Sequence, residues 1–254
     1  MSRIILVILL LNIISCFIFR RFIHRGRMEI LNFCPQGARP KSCCLFLAGM
    51  MNQPGVAFSR LRTATADQMV YAEFSIFGWN AKESIKQLNE YNGFIEHVPL
   101  TVFSISVGDK VARGITECKR IYALNPCPSP EVLNFRFRIL SPVLAIVLEL
   151  ITFLLGWIAV LPIIPADDTN YSLALLADQL FEIGIRRSKR RNIHRSCIVL
   201  SSRDEFLDNE KVKAYFWINN HRIVEIDTQH GRTADPEAST LYNRAILRLM
   251  TESK

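Results

Sequence analysis

The sequence predicts an α/β fold with a mostly parallel sheet flanked by helices. Three observations predict this class. Short apolar runs with the length of buried strands recur along the chain and alternate with helical segments. Several of these runs end at a small or polar residue that opens a loop, as strands do at the carboxyl edge of a parallel sheet. At 254 residues, the chain is long enough for one such domain with appendages.

The first elements of the predicted sheet lie in the N-terminal half. The run from Cys43 to Ala48 indicates a buried strand, and Gln68 to Phe77 indicates another. Ala81 to Tyr91 is expected to be a helix, and Leu100 to Ser104 the next strand. Upstream, only Arg27 to Phe33 offers a further strand, so we expect few strands at that edge of the sheet.

The strand ending at Ser104 leads directly into Ser106, with Gly108 two residues later. A helix-like run from Val107 to Lys119 begins at once. A serine on such a sharp turn is pushed out of the sheet edge, and its neighbours must be small because strand and helix nearly touch. Free N–H groups at the start of the helix favour negative charge beside the serine. The pattern predicts that Ser106 is a nucleophile.

A serine hydroxyl needs a base to take its proton, and the base needs a third group to orient it. We predict Asp204 as this acid and His230 as the base, with Asp208 as the main alternative acid. Each follows a run predicted to be a strand, Ser196 to Ser201 before Asp204 and Asp208, and His221 to Ile226 before His230. Asp227 is a further carboxylate close to His230.

The remaining predicted elements and histidines complete this region. We expect helices over Asn209 to Asn219 and from about Pro236 to Met250. The other histidines lack a matching position at a strand end and are expected to be structural or exposed to solvent: His24, His97, His194 and His221.

The order serine, aspartate, histidine, each after its own strand, resembles the triad of the α/β-hydrolase family. The resemblance covers roughly Ser42 to the C terminus. It implies that Ile121 to Leu124 is the sixth strand of that fold. It also implies an oxyanion hole built from two backbone N–H groups, those of Met50 and Val107.

The chain departs from the family pattern at two positions. Ser104 replaces the usual glycine two residues before the nucleophile, and Ala48-Gly49 stands where the family has His-Gly. Serine is small enough for the turn, and the oxyanion donor is a backbone group. Neither change abolishes the expected chemistry, although both make the match less specific.

The N-terminal run from Ile4 to Phe19 is apolar and is followed by Arg20 and Arg21. We expect residues 1–21 to be an uncleaved hydrophobic anchor, 22–41 a basic connector and 42–254 the α/β-hydrolase domain. A signal peptide and a lipoprotein cleavage site are the alternatives, but the flanking residues fit them poorly. The basic cluster after the run places the catalytic domain in the cytoplasm by the positive-inside rule.

A second apolar run, Ile139 to Ile164, would pass for a transmembrane helix by hydropathy alone. A single crossing there would place Ser106 on one side of the membrane and Asp204 and His230 on the other. We therefore expect a lid over residues 128–185, inserted after the sixth strand, with an apolar helix from Pro142 to Leu161 and a second helix from Tyr171 to Ile185. The apolar helix is expected to contact lipid or a long acyl substrate; the alternative is burial between lid and core.

The chain carries a net charge of +8 and a basic stretch from Arg186 to Arg195. Aromatic interleaving and nucleic-acid-binding motifs are absent from the sequence, so nucleic acid is not an expected partner. Anionic lipid headgroups explain the stretch better, with a solvated loop as the alternative.

The seven cysteines lack metal-like spacing, and no glycine motif for nucleotides is present, so no metal or cofactor is expected.

The resemblance implies a serine hydrolase that cleaves a carboxylic ester or thioester, and the apolar segments lead us to expect membrane association and an acyl-chain substrate. Two alternatives stay open. One is a catalytically inactive binding or scaffold protein of the same fold at the membrane, and the other is an acyltransferase that uses the same three residues. The sequence leaves the substrate and the oligomeric state undetermined.

Overall fold

The computed structural model describes residues 2–23, 27–31, 42–47, 49–50, 58, 61, 69–75, 81–90, 100–116, 118–161, 164–166, 169–187, 196–217, 221–231 and 235–252. A seven-stranded sheet runs through this part of the chain, with the order β1-β3-β2-β4-β5-β8-β9. Its strands are β1 (Arg27–Leu31), β2 (Ser42–Leu47), β3 (Met69–Ser75), β4 (Leu100–Ile105), β5 (Cys118–Leu124), β8 (Ser196–Arg203) and β9 (Arg222–Gln229).

Only β1 runs against its neighbour; the other pairings in this sheet are parallel. The predicted fold class, a mostly parallel sheet flanked by helices, is confirmed. β1 lies inside the segment expected to be a connector and supplies the edge strand that the sequence allowed there.

Helices cover both faces of the sheet. They are α2 (Ala81–Glu90), α3 (Gly108–Ala112), α6 (Asn209–Trp217) and α7 (Pro236–Thr251). Because successive side chains of a strand point to opposite faces, the buried runs divide into two apolar clusters. Leu45 and Val102 pack with residues of α2, α3 and α6 on one face, whereas Phe46 and Phe103 pack with residues of α7 on the other.

Two segments lie outside the sheet and the helices that cover it. α1 (Ser2–Ile23) precedes the sheet. Between β5 and β8 the chain forms α4 (Phe135–Leu155), a 3₁₀ helix (Gly156–Val160), the small hairpin β6 (Ile164–Ala166) and β7 (Thr169–Tyr171), and α5 (Leu173–Gly184). Among the described helices, Phe135–Val160 has the length and composition to span a membrane, and the apolar part of α1, Arg3–Ile18, is shorter.

Side-chain caps set the starts of three helices. The Asn134 side chain accepts a hydrogen bond from the N–H of Phe137 at the start of α4, and Ser172 does the same for Leu175 in α5. The Asp235 side chain accepts from the first N–H groups of α7. These caps satisfy donors that lack partners within their helices.

Three predicted helices have wrong boundaries. The helix expected from Tyr171 to Ile185 is α5, Leu173–Gly184, because Tyr171 pairs with Ile164 in the small hairpin and Ser172 caps the helix start.

The helix expected from Val107 to Lys119 is only α3. Beyond its end, Gly114 passes α2 so closely that a Cβ atom there would overlap the Ile85 side chain. Lys119 belongs to β5 instead.

The apolar helix expected from Pro142 to Leu161 starts seven residues earlier and ends earlier. Its start follows the Asn134 cap, so that Pro142 lies inside the helix. Its end is Leu155, because the next residue, Gly156, has a positive φ of 58° that turns the chain away from the helix axis.

Candidate active site

Ser106 occupies the turn between β4 and α3 in a strained backbone conformation. Its φ is +48°, a region that non-glycine residues rarely adopt. The turn is held by two backbone hydrogen bonds: the Ser106 N–H donates to the Leu124 carbonyl over 2.9 Å, and the Cys127 N–H donates to the Ser106 carbonyl over 3.1 Å. The sequence-predicted nucleophile therefore lies where β4 ends, locked to the residues that end β5. Such strain concentrates at functional sites.

The loop after β2 approaches this turn from the other side. A Cβ atom on Gly49 would lie 3.3 Å from the Cβ atom of Ser106 and 3.3 Å from the Ile105 carbonyl oxygen. Glycine therefore permits a close approach that brings Met50 next to the serine turn. On the serine side, the Val107 N–H donates to no carbonyl within the described part of the chain. These are the two N–H groups that the sequence assigned to the oxyanion.

Asp204 and His230 are in direct contact. His230 Nδ1 lies 2.6 Å from Asp204 Oδ2, and the Asp204 side chain is fully buried while that of His230 is 13% exposed. Oδ1 of Asp204 accepts hydrogen bonds from the N–H groups of Phe206 and Leu207, both at 2.8 Å. Because Asp204 accepts at Nδ1, the imidazole carries its proton there and leaves Nε2 as the basic nitrogen.

The alternative acids take other roles. Asp208 precedes α6, where its carboxylate accepts from the Lys211 N–H at 3.2 Å and pairs with the Lys211 ammonium at 2.8 Å. The hydrogen bond from Lys211 lowers the pKa of Asp208 below its usual value. Asp227 is largely exposed and pairs with Arg203 at 2.7 Å. In this geometry only Asp204 meets the histidine among the three carboxylates considered.

Ser106 and the Asp204–His230 pair lie at one edge of the sheet. They follow β4, β8 and β9, which are parallel, and only β5 separates β4 from β8. With strands about 4.8 Å apart, the loops that follow β4 and β8 lie roughly 10 Å apart along the sheet. Within the described residues no hydrogen bond yet joins Ser106 to His230; catalytic contacts of this kind often tighten only when substrate binds.

A buried polar network beneath the site was not predicted from the sequence. Asn125 follows β5 with a φ of +43°, and its amide donates to Ser201 Oγ at 2.8 Å and to Tyr242 Oη at 3.0 Å. The hydroxyls of Ser201 and Tyr242 are 2.6 Å apart, and Thr228 Oγ1 donates to Tyr242 Oη at 3.0 Å. The network ties together the ends of β5, β8 and β9, from which the acid and base loops leave.

Phe206 is a second feature that the sequence analysis missed. Its ring meets the His230 ring edge-on at 5.1 Å between centroids, and the Phe137 ring of α4 at 4.5 Å. Phe206 therefore forms an apolar wall beside the base. The signal was present in the sequence as an aromatic residue two positions after the predicted acid.

Two other residues considered in the sequence, Ser104 and His221, lie within the described part of the chain. Ser104 is fully buried in β4, and its hydroxyl has no hydrogen-bond partner in the described part. His221 is a structural residue, with Nδ1 3.1 Å from the Ser196 N–H and its ring against Phe216. Outside the described residues lie Ala48, His24, His97, His194 and most of the basic stretch, 188–195. Among the described side chains no group of three His, Cys, Asp or Glu residues is placed to hold a metal ion.

Comparisons with known proteins give a match in structure only. No family model matches the sequence, and no curated protein matches it. A hydrolase from Oleispira antarctica superposes with a TM-score of 0.62 at 11% identity, covering 92% of this chain and 97% of that one.

Two further solved structures agree. An epoxide hydrolase from Bacillus megaterium gives a TM-score of 0.63 at 9% identity, with 90% and 98% of the two chains covered. A carboxylesterase from the thaumarchaeon Nitrososphaera gargenis gives 0.58 at 11% identity, with 90% and 96% covered. At such identities the likeness concerns the fold, which these proteins share over nearly their whole length.

Proposed function

We propose that this chain, which has the α/β-hydrolase fold, is a membrane-associated serine hydrolase that cleaves a carboxylic ester or thioester of an acyl-chain substrate. The observation that carries the proposal is the strained Ser106 turn at the sheet edge where Asp204 and His230 are paired at 2.6 Å. A nucleophile on a strained turn, with an oriented base on a neighbouring loop, suits acyl transfer through a covalent intermediate.

The proposed reaction assigns one role to each group. His230 Nε2 takes the hydroxyl proton of Ser106 as the serine oxygen attacks the carbonyl carbon. Asp204 holds the imidazole tautomer and stabilises the imidazolium that forms. The N–H groups of Val107 and Met50 donate to the oxyanion. The imidazolium then protonates the leaving alkoxide or thiolate.

Water completes the cycle. His230 accepts a proton from a water molecule, which attacks the acyl-serine ester. As the second oxyanion collapses, the bond to Ser106 Oγ breaks, the imidazolium returns its proton to Oγ, and the carboxylic acid is released. No cofactor or metal is part of this scheme. The aromatic wall at Phe206 and the apolar helix α4, which begins next to it, favour an acyl group over a polar one.

Labelling of the purified full chain with a fluorophosphonate probe tests the proposal. We expect labelling of the parent protein and none of the Ser106→Ala variant. Ser239→Ala, which changes a serine in α7 far along the sequence, is the matched control and should be labelled like the parent. An unlabelled parent, beside a labelled esterase standard, would contradict the proposal and favour a binding or scaffold role.

A further inference from the structure

Exposed apolar side chains are concentrated in two helices. Of the large hydrophobic residues exposed in the described part, eleven lie in α1 and fourteen between Phe135 and Leu161; Ile185 and Leu241 are the two others. Exposing a contiguous apolar surface of this size to water is unfavourable in free energy. Such a surface marks contact with a partner or a membrane.

α4 has the polarity pattern of a helix packed within lipid. Its buried residues are small or weakly polar, namely Ser141, Ala145 and Thr152. Leu150 and Leu154 are 59% and 71% exposed. A helix of a water-soluble protein buries its large apolar residues, whereas helices in lipid use small residues for contacts and turn large ones outward.

α1 docks on the end of α4 through its few polar residues. The Asn12 amide donates to the carbonyls of Phe153 at 3.4 Å and Leu154 at 3.2 Å, which lie in the last turn of α4. Gly156 makes room for this side chain, since a Cβ atom there would overlap Asn12. Cys16 is buried with Val160 and Ala174. α1 is therefore docked on the α4 region and shares its apolar surface.

Charge is sparse on this surface, and the apolar part of α1, Arg3–Ile18, carries only the exposed Arg3. Between Ile139 and Leu161 the sequence contains a single charged residue, Glu149. Arg136 and Arg138 are exposed in the first turn of α4. Arg187 is exposed after α5, where it pairs with Glu131 at 2.7 Å. The end of α5 packs against α4, since a Cβ on Gly184 would overlap Ser141 and Pro142. The basic residues at the start of α4 and the sparse charge beyond them match anionic headgroups above hydrocarbon.

The basic end of α4 is bonded to the loop of the catalytic acid. The Asn134 N–H donates to the Phe206 carbonyl at 2.9 Å, and the Asp208 N–H donates to the Val132 carbonyl at 2.8 Å. Phe137 contacts Phe206, which contacts His230. A bilayer against α4 would therefore lie next to the acid and base.

We propose that α1 and the segment Phe135–Leu161 form one lipid-binding surface that holds the Asp204–His230 loops at a bilayer containing anionic lipids, so that the ester is taken from the bilayer. This inference rests on the proposed hydrolase function. It commits to lipid as the occupant of the surface, and it makes α1 a docked part of that surface instead of a flexible tether.

Hydrolysis of two substrates by the full chain tests the proposal. One is a short, water-soluble p-nitrophenyl ester, and the other is a long-chain ester embedded in vesicles of phosphatidylcholine and phosphatidylserine. In the double variant Leu150→Asp/Leu154→Asp we expect an about tenfold or greater loss on the vesicle substrate, since two apolar contacts with lipid are lost. The soluble ester should be hydrolysed as before. Leu241→Asp, at an exposed leucine outside the surface, should change neither rate.

Docking of α1 is tested by disulfide cross-linking in the same vesicles. Val160→Cys should cross-link to Cys16 on mild oxidation, and the Cys16→Ser/Val160→Cys variant should not. Absence of the cross-link in a protein that hydrolyses the soluble ester would overturn the docked arrangement.

Three further outcomes would contradict one of the two proposals. Unchanged vesicle hydrolysis in the double aspartate variant would overturn the lipid-binding surface, as would cross-linking of two copies through Leu150→Cys without vesicle binding. If neither ester is hydrolysed and no fluorophosphonate label is incorporated, the hydrolase proposal fails; sedimentation with vesicles would then report separately on lipid binding.

Discussion

His230 Nδ1 lies 2.6 Å from Asp204 Oδ2, and the other carboxylate oxygen of Asp204 accepts two backbone N–H groups of its own loop. The carboxylate is thus fixed from one side by its loop while it fixes the imidazole on the other. A buried carboxylate held in this way orients the base without being free to rotate.

Replacing Asp204 by asparagine should reduce kcat for a soluble ester by about 10³–10⁴-fold, because the amide favours the wrong tautomer of His230. Steady-state kinetics and the rate of fluorophosphonate labelling measure the effect. KM should change much less, since Asp204 does not contact the acyl chain in the proposed scheme.

Asp208→Asn is the matched control for this prediction. Asp208 caps α6 and pairs with Lys211, so its replacement should leave kcat within about twofold. Because asparagine caps a helix about as well as aspartate and the lost ion pair is partly exposed, the free energy of unfolding should fall by less than about 1 kcal/mol. Equal kinetic losses in both variants would argue against Asp204 as the specific partner of His230.

The sequence predicted the sheet correctly and placed Ser106, Asp204 and His230 after strands of that sheet, because these signals are local. An apolar run ending at Ser106, or at the loop of Asp204, is visible in a few consecutive residues. The parallel pairing then places the ends of these strands at one edge. The roles of the three residues in catalysis remain predictions, which the experiments above address.

Features that depend on distant contacts escaped sequence reasoning. The Asn125 network joins residues more than seventy positions apart. The sequence favours Asp204 over Asp208 as the acid without excluding Asp208, and only the fold shows which carboxylate meets His230. The short length of α3 and the close packing of Gly114 on Ile85 of α2 are not visible in any local pattern.

Ser104→Ala should stabilise the protein. The Ser104 hydroxyl is fully buried and has no partner among the described residues, and an unsatisfied hydroxyl costs about 1–3 kcal/mol. We expect the free energy of unfolding, measured with urea, to rise by about 1 kcal/mol, because repacking around the smaller side chain offsets part of the gain. Ser201→Ala serves as the contrasting variant. Because the Ser201 hydroxyl lies 2.6 Å from that of Tyr242, its removal should lower the stability of the protein. A loss of stability in Ser104→Ala would contradict this account.

Stability should fall in mild acid through His221. Burial, with a smaller contribution from the nearby Arg113 guanidinium, lowers the pKa of His221 below its ordinary value of 6.5. The unfolded chain then binds a proton that the folded state does not, so stability is retained above pH 6.5 and decreases as the pH falls below it. His221→Asn, which keeps an acceptor for the Ser196 N–H, should show a flatter dependence of the urea midpoint on pH. Identical pH profiles would exclude this role.

The strain at Ser106 predicts that activity and stability are opposed at this position. A φ of +48° is costly for serine and alanine but not for glycine, so Ser106→Gly should be more stable than Ser106→Ala by about 1 kcal/mol, with both variants inactive. Ser239 provides the control. It lies in α7, where glycine should instead be about 1 kcal/mol less stable than alanine. Comparison of the four unfolding free energies isolates the backbone effect, because both replacements remove the same hydroxyl. If glycine destabilises at both positions, Ser106 is not strained, and the nucleophile turn loses its structural basis.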